Sequence, residues 1–209
     1  FALISLKKLT AQVNADTSRL LASVSKKTIA YRNVLEEANL IFPENLLDCK
    51  DQSLEYIKKF CETKRKYLIK TYQAGKAYFP KIAVIFKQYE LPEELKMMMA
   101  LESGFSGNVV SKAGAVGYWQ MMGVAAREYG LKTSKNKDER RNFAKSTLAA
   151  AKYLRDRSLN YNSDILLMVA SYNCGIGTIR NAFKKAHKSD GGFWDIKDFL
   201  PKETRNYVM

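Results

Sequence analysis

Apolar residues recur at helical spacing through the segment 91–103, LPEELKMMMALES. The side chains that share one face by the i, i+3, i+4, i+7 rule are Leu95, Met98, Met99 and Glu102. Pro92 and the two glutamates after it suit a first helical turn, and Gly104 suits a helix end. The pattern therefore predicts a helix that carries Glu102 on its apolar stripe, close to its C-terminal end.

Helical spacing also covers the N-terminal part of the chain. Residues 6–24 and 53–73 each place their apolar positions largely on one face, and Pro43 marks a turn between them. We therefore expect residues 1–75 to form an accessory layer of helices packed on a core domain of residues 76–209.

The segment 104–123 differs from its surroundings because it holds five glycines with aliphatic and aromatic residues between them. Such a composition favours loops and a small β-hairpin. The helices predicted after this segment cover residues 123–131, 138–159 and 164–175. The expected fold class is therefore mostly α (α+β), a helical domain with one glycine-rich loop or hairpin inset just after Glu102.

The chain has 209 residues, of which 46% are apolar and 11% aromatic, enough for one domain with a sizeable core and some extra helices. No apolar stretch is long enough to span a membrane. The start, FALISLKK, lacks the order of a signal peptide, in which basic residues precede a long apolar run. Because the chain begins with Phe1, we expect a mature or trimmed product whose leader has been removed.

The net charge of +14 favours attraction to an anionic partner, and charge alone leaves open nucleic acid, a membrane surface or an acidic wall polymer. The basic residues are spread along the chain rather than gathered in one block, so a solvated surface explains most of them. No nucleic-acid recognition motif accompanies the charge. We therefore predict no nucleic-acid partner.

The three cysteines and one histidine do not form a metal-binding pattern. Cys49 and Cys61 are twelve positions apart, and a disulfide between them and two buried free thiols are equally open. Cys174 stands apart and is expected to be a small packed residue. With His187 as the only histidine, we predict no structural or catalytic zinc.

Glu102 is the candidate for chemistry. The C-terminal end of a helix carries partial negative charge, and apolar neighbours remove water, so both effects should raise the pKa of this carboxyl. A glutamic acid that is still protonated near neutral pH can give its proton to the leaving group of a glycosidic bond. Residues 103–127 contain no Asp or Glu, so either a second carboxylate comes from far away in sequence or a substrate group replaces it.

Four segments taken in order resemble a known family. They are ALESGF, SKAGAVGYWQMM, ASYNCGIG and ETRNYV, which together resemble the successive signatures of the soluble type of lytic transglycosylases, a family with a lysozyme-like fold. The pair Trp119–Gln120 resembles the membrane-bound D-type subfamily. The resemblance covers about residues 90–209, whereas residues 1–75 match no family we can name.

The resemblance implies cleavage of the β-1,4 bond between N-acetylmuramic acid and N-acetylglucosamine in peptidoglycan. In such enzymes the muramyl 6-hydroxyl attacks its own anomeric carbon and leaves a 1,6-anhydro end, and no cofactor takes part. Glu102 would be the sole acid and then the base. The other residues that match the motifs are Ser111, Gln120, Met122, Tyr172 and Asn173 as substrate-binding residues, and Glu203 and Tyr207 in the last motif, where the tyrosine orients the glutamate.

The chain departs from the usual motifs at three positions. Gly123 stands where the family has Pro, Cys174 where it has Ala, and Tyr118 where it has Leu, which would alter a sugar subsite. Related enzymes of this fold hydrolyse the bond with water, and others prefer modified glycans such as de-N-acetylated ones, so a muramidase activity is an alternative. A non-catalytic wall-binding scaffold held by charge is another. Peptidoglycan as substrate implies a periplasmic or secreted protein, which we expect to be a monomer.

Overall fold

The structure, a computed structural model, describes residues 58–60, 62–161 and 164–209. The chain divides into two compact units, Phe1–Arg65 and Lys66–Met209, so the division falls ten residues before the predicted boundary. The helix predicted over residues 6–24 and the Cys49–Cys61 pair lie outside the described residues. The accessory role of residues 1–75 stays a prediction.

The second unit is mostly helical, as predicted. Its α-helices are α1 (Arg65–Gly75), α2 (Phe79–Gln88), α3 (Met98–Ser103), α4 (Gly123–Glu128), α5 (Phe143–Asn160), α6 (Ile165–Cys174), α7 (Ile176–Lys185), α8 (Phe193–Ile196) and α9 (Lys202–Val208). Short 3₁₀ helices cover Glu93–Met97, Glu139–Arg141 and Lys197–Phe199. Strands β1 (Thr133–Ser134) and β2 (Lys137–Asp138) pair antiparallel, with Thr133 opposite Asp138 and Ser134 opposite Lys137.

Three details differ from the sequence prediction. The helix predicted over 91–103 starts as a 3₁₀ turn after Pro92, and only its second half is α3. The helix predicted from residue 138 begins at Phe143, because the Asn142 side chain accepts a hydrogen bond from the Lys145 N–H and caps it there. The paired strands lie after the glycine-rich inset, which itself forms only isolated bridges among the described residues.

Helix α6 lies at the centre of the domain and packs against α5, α7, α8 and α9. Its residues 166–171 are all buried, as expected of a helix that is surrounded on every side. Gly175, with φ of 80°, ends α6 in a backbone region that favours glycine, so this predicted end is confirmed. The C-terminal end of α6 therefore carries Tyr172 and Asn173 to the point where α9 packs against it.

Helix α3 is the second element that fixes the site. The side chains of Leu95, Met98 and Met99 are fully buried, so the predicted apolar stripe faces the core. Gly104 follows α3 with φ of 58° and confirms the predicted stop. No helix within the described ranges combines the length and the apolar character that a bilayer crossing requires.

Candidate active site

Glu102 lies in the last turn of α3, with its side chain half-buried. The chain reverses directly after it, because Gly104 and Phe105 both take left-handed backbone angles, φ of 58° and 66°. Such an angle is costly for a residue as large as phenylalanine, so its surroundings must hold it. The Phe105 ring is buried and lies 5.5 Å from the ring centres of both Tyr78 and Phe79. This anchor fixes the end of the helix that carries Glu102.

The carboxyl of Glu102 has one recorded partner. The hydroxyl of Tyr207, on α9, donates a hydrogen bond to Glu102 Oε1 at 2.5 Å. Burial raises the pKa of Glu102 from its ordinary value to about 7, although the Tyr207 hydrogen bond acts in the opposite direction. No lysine or arginine of the described residues forms an ion pair with Glu102. The group is therefore substantially protonated near neutral pH, as an acid catalyst requires.

Tyr172 joins α6 to the inset beside this carboxyl. Its hydroxyl donates a hydrogen bond of 2.6 Å to the backbone oxygen of Trp119, whose indole is fully buried. Burial, together with the negative charge of Glu102, holds the pKa of Tyr172 well above its usual value. The hydroxyl therefore keeps its proton and remains a donor throughout the neutral range. The Tyr153 ring packs edge-on against Tyr172 with centres 5.2 Å apart.

Asn173 is held by α9, although through a residue that the motif does not single out. The Oδ1 of Asn173 accepts a hydrogen bond of 2.9 Å from the hydroxyl of Thr204, which is buried. Glu203, one position earlier, is exposed and has no recorded contact with another described side chain. Of the last motif, Tyr207 reaches Glu102 and Thr204 reaches Asn173, whereas Glu203 reaches neither.

The predicted inset residues organise the inset itself. Ser111 Oγ accepts a hydrogen bond of 3.0 Å from the Ala115 N–H, and none of the described residues takes up its hydroxyl proton. Gln120 has φ of 45°, and its Nε2 donates to the backbone oxygens of Val109 at 3.1 Å and Gly117 at 2.9 Å. None of these contacts joins Glu102 directly.

Met122 and Tyr118 occupy opposite environments. Met122 stands before α4 with 47% of its surface exposed, so it is open to a ligand. The Tyr118 ring packs 5.8 Å from Tyr78 and 5.6 Å from Phe143, centre to centre, in an aromatic cluster. These contacts give Tyr118 a structural role in this fold, and its predicted effect on a sugar subsite stays a prediction.

More than half of the chain, residues 82–192, matches the model of the protein family described as Transglycosylase SLT domain. The chain belongs to this family. The resemblance stated from the motifs is thereby confirmed, and the match includes Glu102 and every predicted inset and α6 residue, whereas Glu203 and Tyr207 lie beyond it.

Two relatives from Escherichia coli share one name. The chain is 34% identical to the Membrane-bound lytic murein transglycosylase D of Escherichia coli strain K12 over 175 residues. These residues make up 83% of this chain and 37% of that protein. The values are the same for the protein of that name from Escherichia coli O6:H1. The chain therefore spans little more than a third of the length of these relatives.

A solved structure supports the fold. The inactive mutant of the lytic transglycosylase Slt from Pseudomonas aeruginosa aligns with a TM-score of 0.52 and 22% identity, over 63% of this chain and 22% of that one. At this identity the likeness shows the fold alone. The predicted mostly helical, lysozyme-like fold is confirmed by it.

Arg140 of the SLT domain was missed by the sequence analysis, although it anchors the inset. Its side chain is buried, and its Nη1 donates to the backbone oxygens of Gly114 at 3.2 Å and Met121 at 3.0 Å. Its Nε and Nη2 donate to the two oxygens of Asp138 at 2.9 and 2.7 Å. The Arg140 hydrogen bonds hold the pKa of Asp138 below its usual value. One guanidinium therefore ties two points of the inset, Gly114 and Met121, to Asp138 on β2.

The close approach of Gly117 to the Arg140 backbone supports the same attachment. Gly117 has φ of 85°, and a Cβ at this position would stand 2.0 Å from the Arg140 carbonyl oxygen. Ser103 adds a second link, since its hydroxyl donates to the Tyr118 backbone oxygen at 2.8 Å. The inset is thus fixed on one side to α3, beside Glu102, and on the other to the segment 138–141.

Replacing Arg140 should loosen the inset. Arg140→Met removes four side-chain hydrogen bonds and leaves Asp138 without its buried partner, so we expect the free energy of unfolding to fall by about 2 to 4 kcal/mol in urea titrations. The matched control is Arg141→Met, because Arg141 is exposed and donates only to the Gly107 backbone oxygen. We expect that control to change stability by less than about 0.5 kcal/mol. Equal losses in the two variants would contradict an anchoring role.

Within the described ranges, no group of three or more His, Cys, Asp or Glu side chains could hold a metal ion. Cys174 lies half-buried beside Thr178, and burial raises the pKa of its thiol. A thiol with a raised pKa is a poor nucleophile at neutral pH, so Cys174 contributes packing rather than chemistry to the site.

Proposed function

We propose that this SLT domain cleaves the β-1,4 bond between N-acetylmuramic acid and N-acetylglucosamine in peptidoglycan and leaves a 1,6-anhydro-muramyl end. The observation that carries the proposal is the half-buried Glu102, with a pKa of about 7 and a hydrogen bond to Tyr207. A carboxyl with this pKa can both give and take a proton at neutral pH, which suits one residue acting in both steps.

In the first step Glu102 gives its proton to the glycosidic oxygen. The bond between the muramyl C1 and that oxygen breaks, and the N-acetylglucosamine part leaves with a free 4-hydroxyl. The positive charge that develops at C1 is offset by the new carboxylate of Glu102. The Tyr207 hydroxyl supports this stage, because its hydrogen bond favours the charged form of the carboxyl.

In the second step the Glu102 carboxylate accepts the proton of the muramyl 6-hydroxyl. The oxygen so released forms the new bond to C1, which closes the anhydro ring and returns Glu102 to its protonated form. The proton that Glu102 accepts in the second step replaces the one that it gave in the first step. The cycle therefore consumes no water and no cofactor. Residues 103–127 hold no carboxylate, which favours a nucleophile supplied by the substrate over a second acidic residue.

The remaining residues bind and orient the glycan in this scheme. Tyr172 and Gln120 hold the inset in shape, Ser111 offers a hydroxyl proton to a sugar oxygen, and Met122 offers an exposed apolar contact. Asn173 and Thr204 keep α6 and α9 in register, which places Tyr207 against Glu102. Peptidoglycan as substrate implies action outside the cytoplasmic membrane by an exported protein, which we expect to be a monomer.

Product analysis tests the proposal. Purified protein should release anhydro-muropeptides from bacterial sacculi, each about 18 Da lighter than its hydrolysed counterpart, because one water fewer is taken up at each cut. Muropeptides with reducing ends would mean that water attacks C1. The activity would then be that of a muramidase, and the proposed transglycosylation would be wrong. Sacculi that bind the protein without any soluble product would favour the wall-binding scaffold and overturn the enzymatic proposal.

A further inference from the structure

The segment 112–145 of the SLT domain carries a concentration of positive charge. It contains eight Lys and Arg residues and three Asp and Glu residues, a net charge of +5 within 34 residues. Seven of the basic side chains are exposed, and five of these lie around the β1–β2 hairpin and the inset turn. These define the basic hairpin surface, which consists of Lys112, Arg127, Lys132, Lys135 and Lys137.

Most of this charge is not neutralised within the described part of the chain. Asp138 forms an ion pair with Arg140. Glu139 is buried, and its Oε1 accepts a hydrogen bond of 2.5 Å from Lys145 Nζ. Lys137 reaches Glu139 only at 4.0 Å, and the ammonium groups of the other three lysines have no recorded partner among the described residues. The remaining acid, Glu128, is exposed on α4. Solvated cations without partners leave the surface free for an external anion.

The basic hairpin surface is fixed to the glycine-rich inset. Lys112 lies within the Ser111–Ala115 turn, and Arg140 donates to Gly114 in that same turn. Arg127 follows Met122 by five positions, and its Nη1 donates to Thr133 Oγ1 on β1 at 2.9 Å. The same rigid attachment that shapes the inset therefore holds the lysines of the hairpin beside it.

We propose that the basic hairpin surface binds the free carboxylates of the peptide stems attached to the glycan strand that occupies the site. This inference rests on the proposed function. The sugars of peptidoglycan are uncharged, whereas each muramyl lactyl group carries a peptide with free carboxylates. A strand seated along the inset therefore brings an anionic branch to the edge of the inset, where the basic hairpin surface lies. Lysines at that edge attract such a branch and strengthen binding of the strand.

The proposal makes the site prefer glycan with its peptides still attached. The contacts are exposed, so each lysine contributes weakly and is screened by salt. The combined effect should appear in the affinity for the strand and leave proton transfer by Glu102 unchanged. A phosphate-containing wall polymer would meet the same lysines, but its binding would not depend on the peptides.

The test compares intact sacculi with glycan strands from which an amidase has removed the peptides. One variant neutralises the hairpin by three substitutions, Lys132→Gln, Lys135→Gln and Lys137→Gln. The matched control makes the same charge change on α5 and α7, where the exposed lysines also lack recorded partners, by Lys152→Gln, Lys184→Gln and Lys185→Gln. Initial rates and sedimentation with each substrate are measured at about 50 and about 300 mM salt.

The hairpin variant should lose about 5- to 20-fold in kcat/KM on intact sacculi, through KM, and less than about twofold on peptide-free strands. The control should lose less than about twofold on both, and high salt should erase the difference. Equal losses on the two substrates, or equal losses in the control, would overturn the proposal. Sedimentation of the unmodified protein separates the two claims, because peptide-dependent binding by that protein without any product would refute the enzymatic function alone.

Discussion

Glu102→Gln should lower the rate of product release from sacculi by about 1,000-fold or more. The amide has nearly the same shape as the carboxyl but can neither donate the acid proton nor accept one from the muramyl 6-hydroxyl. Both steps of the proposed cycle depend on this group, so no other described residue can take its place. The measurement is the rate of muropeptide release, with binding to sacculi followed separately to show that the cleft is intact.

The same substitution should make the protein more stable at alkaline pH. The pKa of Glu102 is about 7 in the folded chain and close to 4.5 when the chain is unfolded. Below the unfolded pKa the carboxyl is neutral in both states and costs nothing. As pH rises from the unfolded pKa through the folded pKa, the unfolded chain gains the charged form more easily than the folded chain, so stability is lost over this range and stays lower above it. Allowing for partial exposure, we expect the Glu102→Gln variant to gain about 1 to 3 kcal/mol at pH 9 and nothing at pH 4.

The control for both measurements is Glu128→Gln, which makes the same chemical change on an exposed side chain of α4. We expect it to leave the rate within about twofold and to show no comparable gain of stability at high pH. A Glu102→Gln protein that digests sacculi within tenfold of the unmodified rate would refute the role of Glu102. A stability difference that is the same at pH 4 and pH 9 would refute the raised pKa.

The position of Glu102 was predictable from sequence because its determinants are local. Helical spacing places it in line with Met98 and Met99, and Gly104 ends the helix directly afterwards. The burial of both methionines confirms the expected apolar stripe, and the raised pKa of Glu102 agrees with its position on that stripe. Periodicity is informative here because the stripe residues Met98 and Met99 are fully buried, whereas Leu101, off the stripe, is exposed.

The anchor of the inset was not predictable in the same way. Arg140 belongs to the run DERR, and a run of charges normally indicates a solvated helix surface. Its burial depends on carbonyl oxygens of Gly114 and Met121, which stand 26 and 19 residues earlier in the chain. Only the tertiary structure brings these groups together, so neither composition nor spacing could indicate the contact.

The paired strands were misplaced for a related reason. Five glycines with aliphatic and aromatic residues between them favoured loops and a small hairpin in the inset, but there only isolated bridges form, between Val110 and Val116 and between Val116 and Met121. The ladder forms at Thr133–Asp138, where polar residues surround a tight two-residue turn. Polar strands that are two residues long leave almost no hydrophobic pattern in a sequence.

In the last motif, Thr204 rather than its neighbour Glu203 is the residue that contacts the site. The resemblance pointed to Glu203 and Tyr207, which are four positions apart and so lie near one another on a helix face. In the structure α9 turns Thr204 and Val208 into the core, which leaves Glu203 exposed. Tyr207 remains at the edge of the buried face and reaches Glu102 from there.

Tyr207→Phe should slow product release by about 10- to 100-fold and shift the pH dependence of the rate. The hydroxyl of Tyr207 donates to Glu102 Oε1 and lowers the pKa of that carboxyl, so its loss should raise the pKa above about 7. Because the first step needs protonated Glu102, the unmodified rate should fall as pH rises past about 7. In the variant this alkaline fall should move to higher pH while the maximal rate drops, since the carboxylate needed in the second step is less stabilised.

A matched substitution decides whether that shift reports on Glu102 or on general damage. Tyr129→Phe removes a tyrosine hydroxyl that donates to Asp156 Oδ2 at 2.8 Å and not to Glu102. It should leave the alkaline limb in place and the rate within about twofold. A lower rate in Tyr207→Phe without any displacement of the limb would mean that Tyr207 only supports the packing of α9. If the fall of the rate at alkaline pH shifted in both variants, that fall would not report the titration of Glu102.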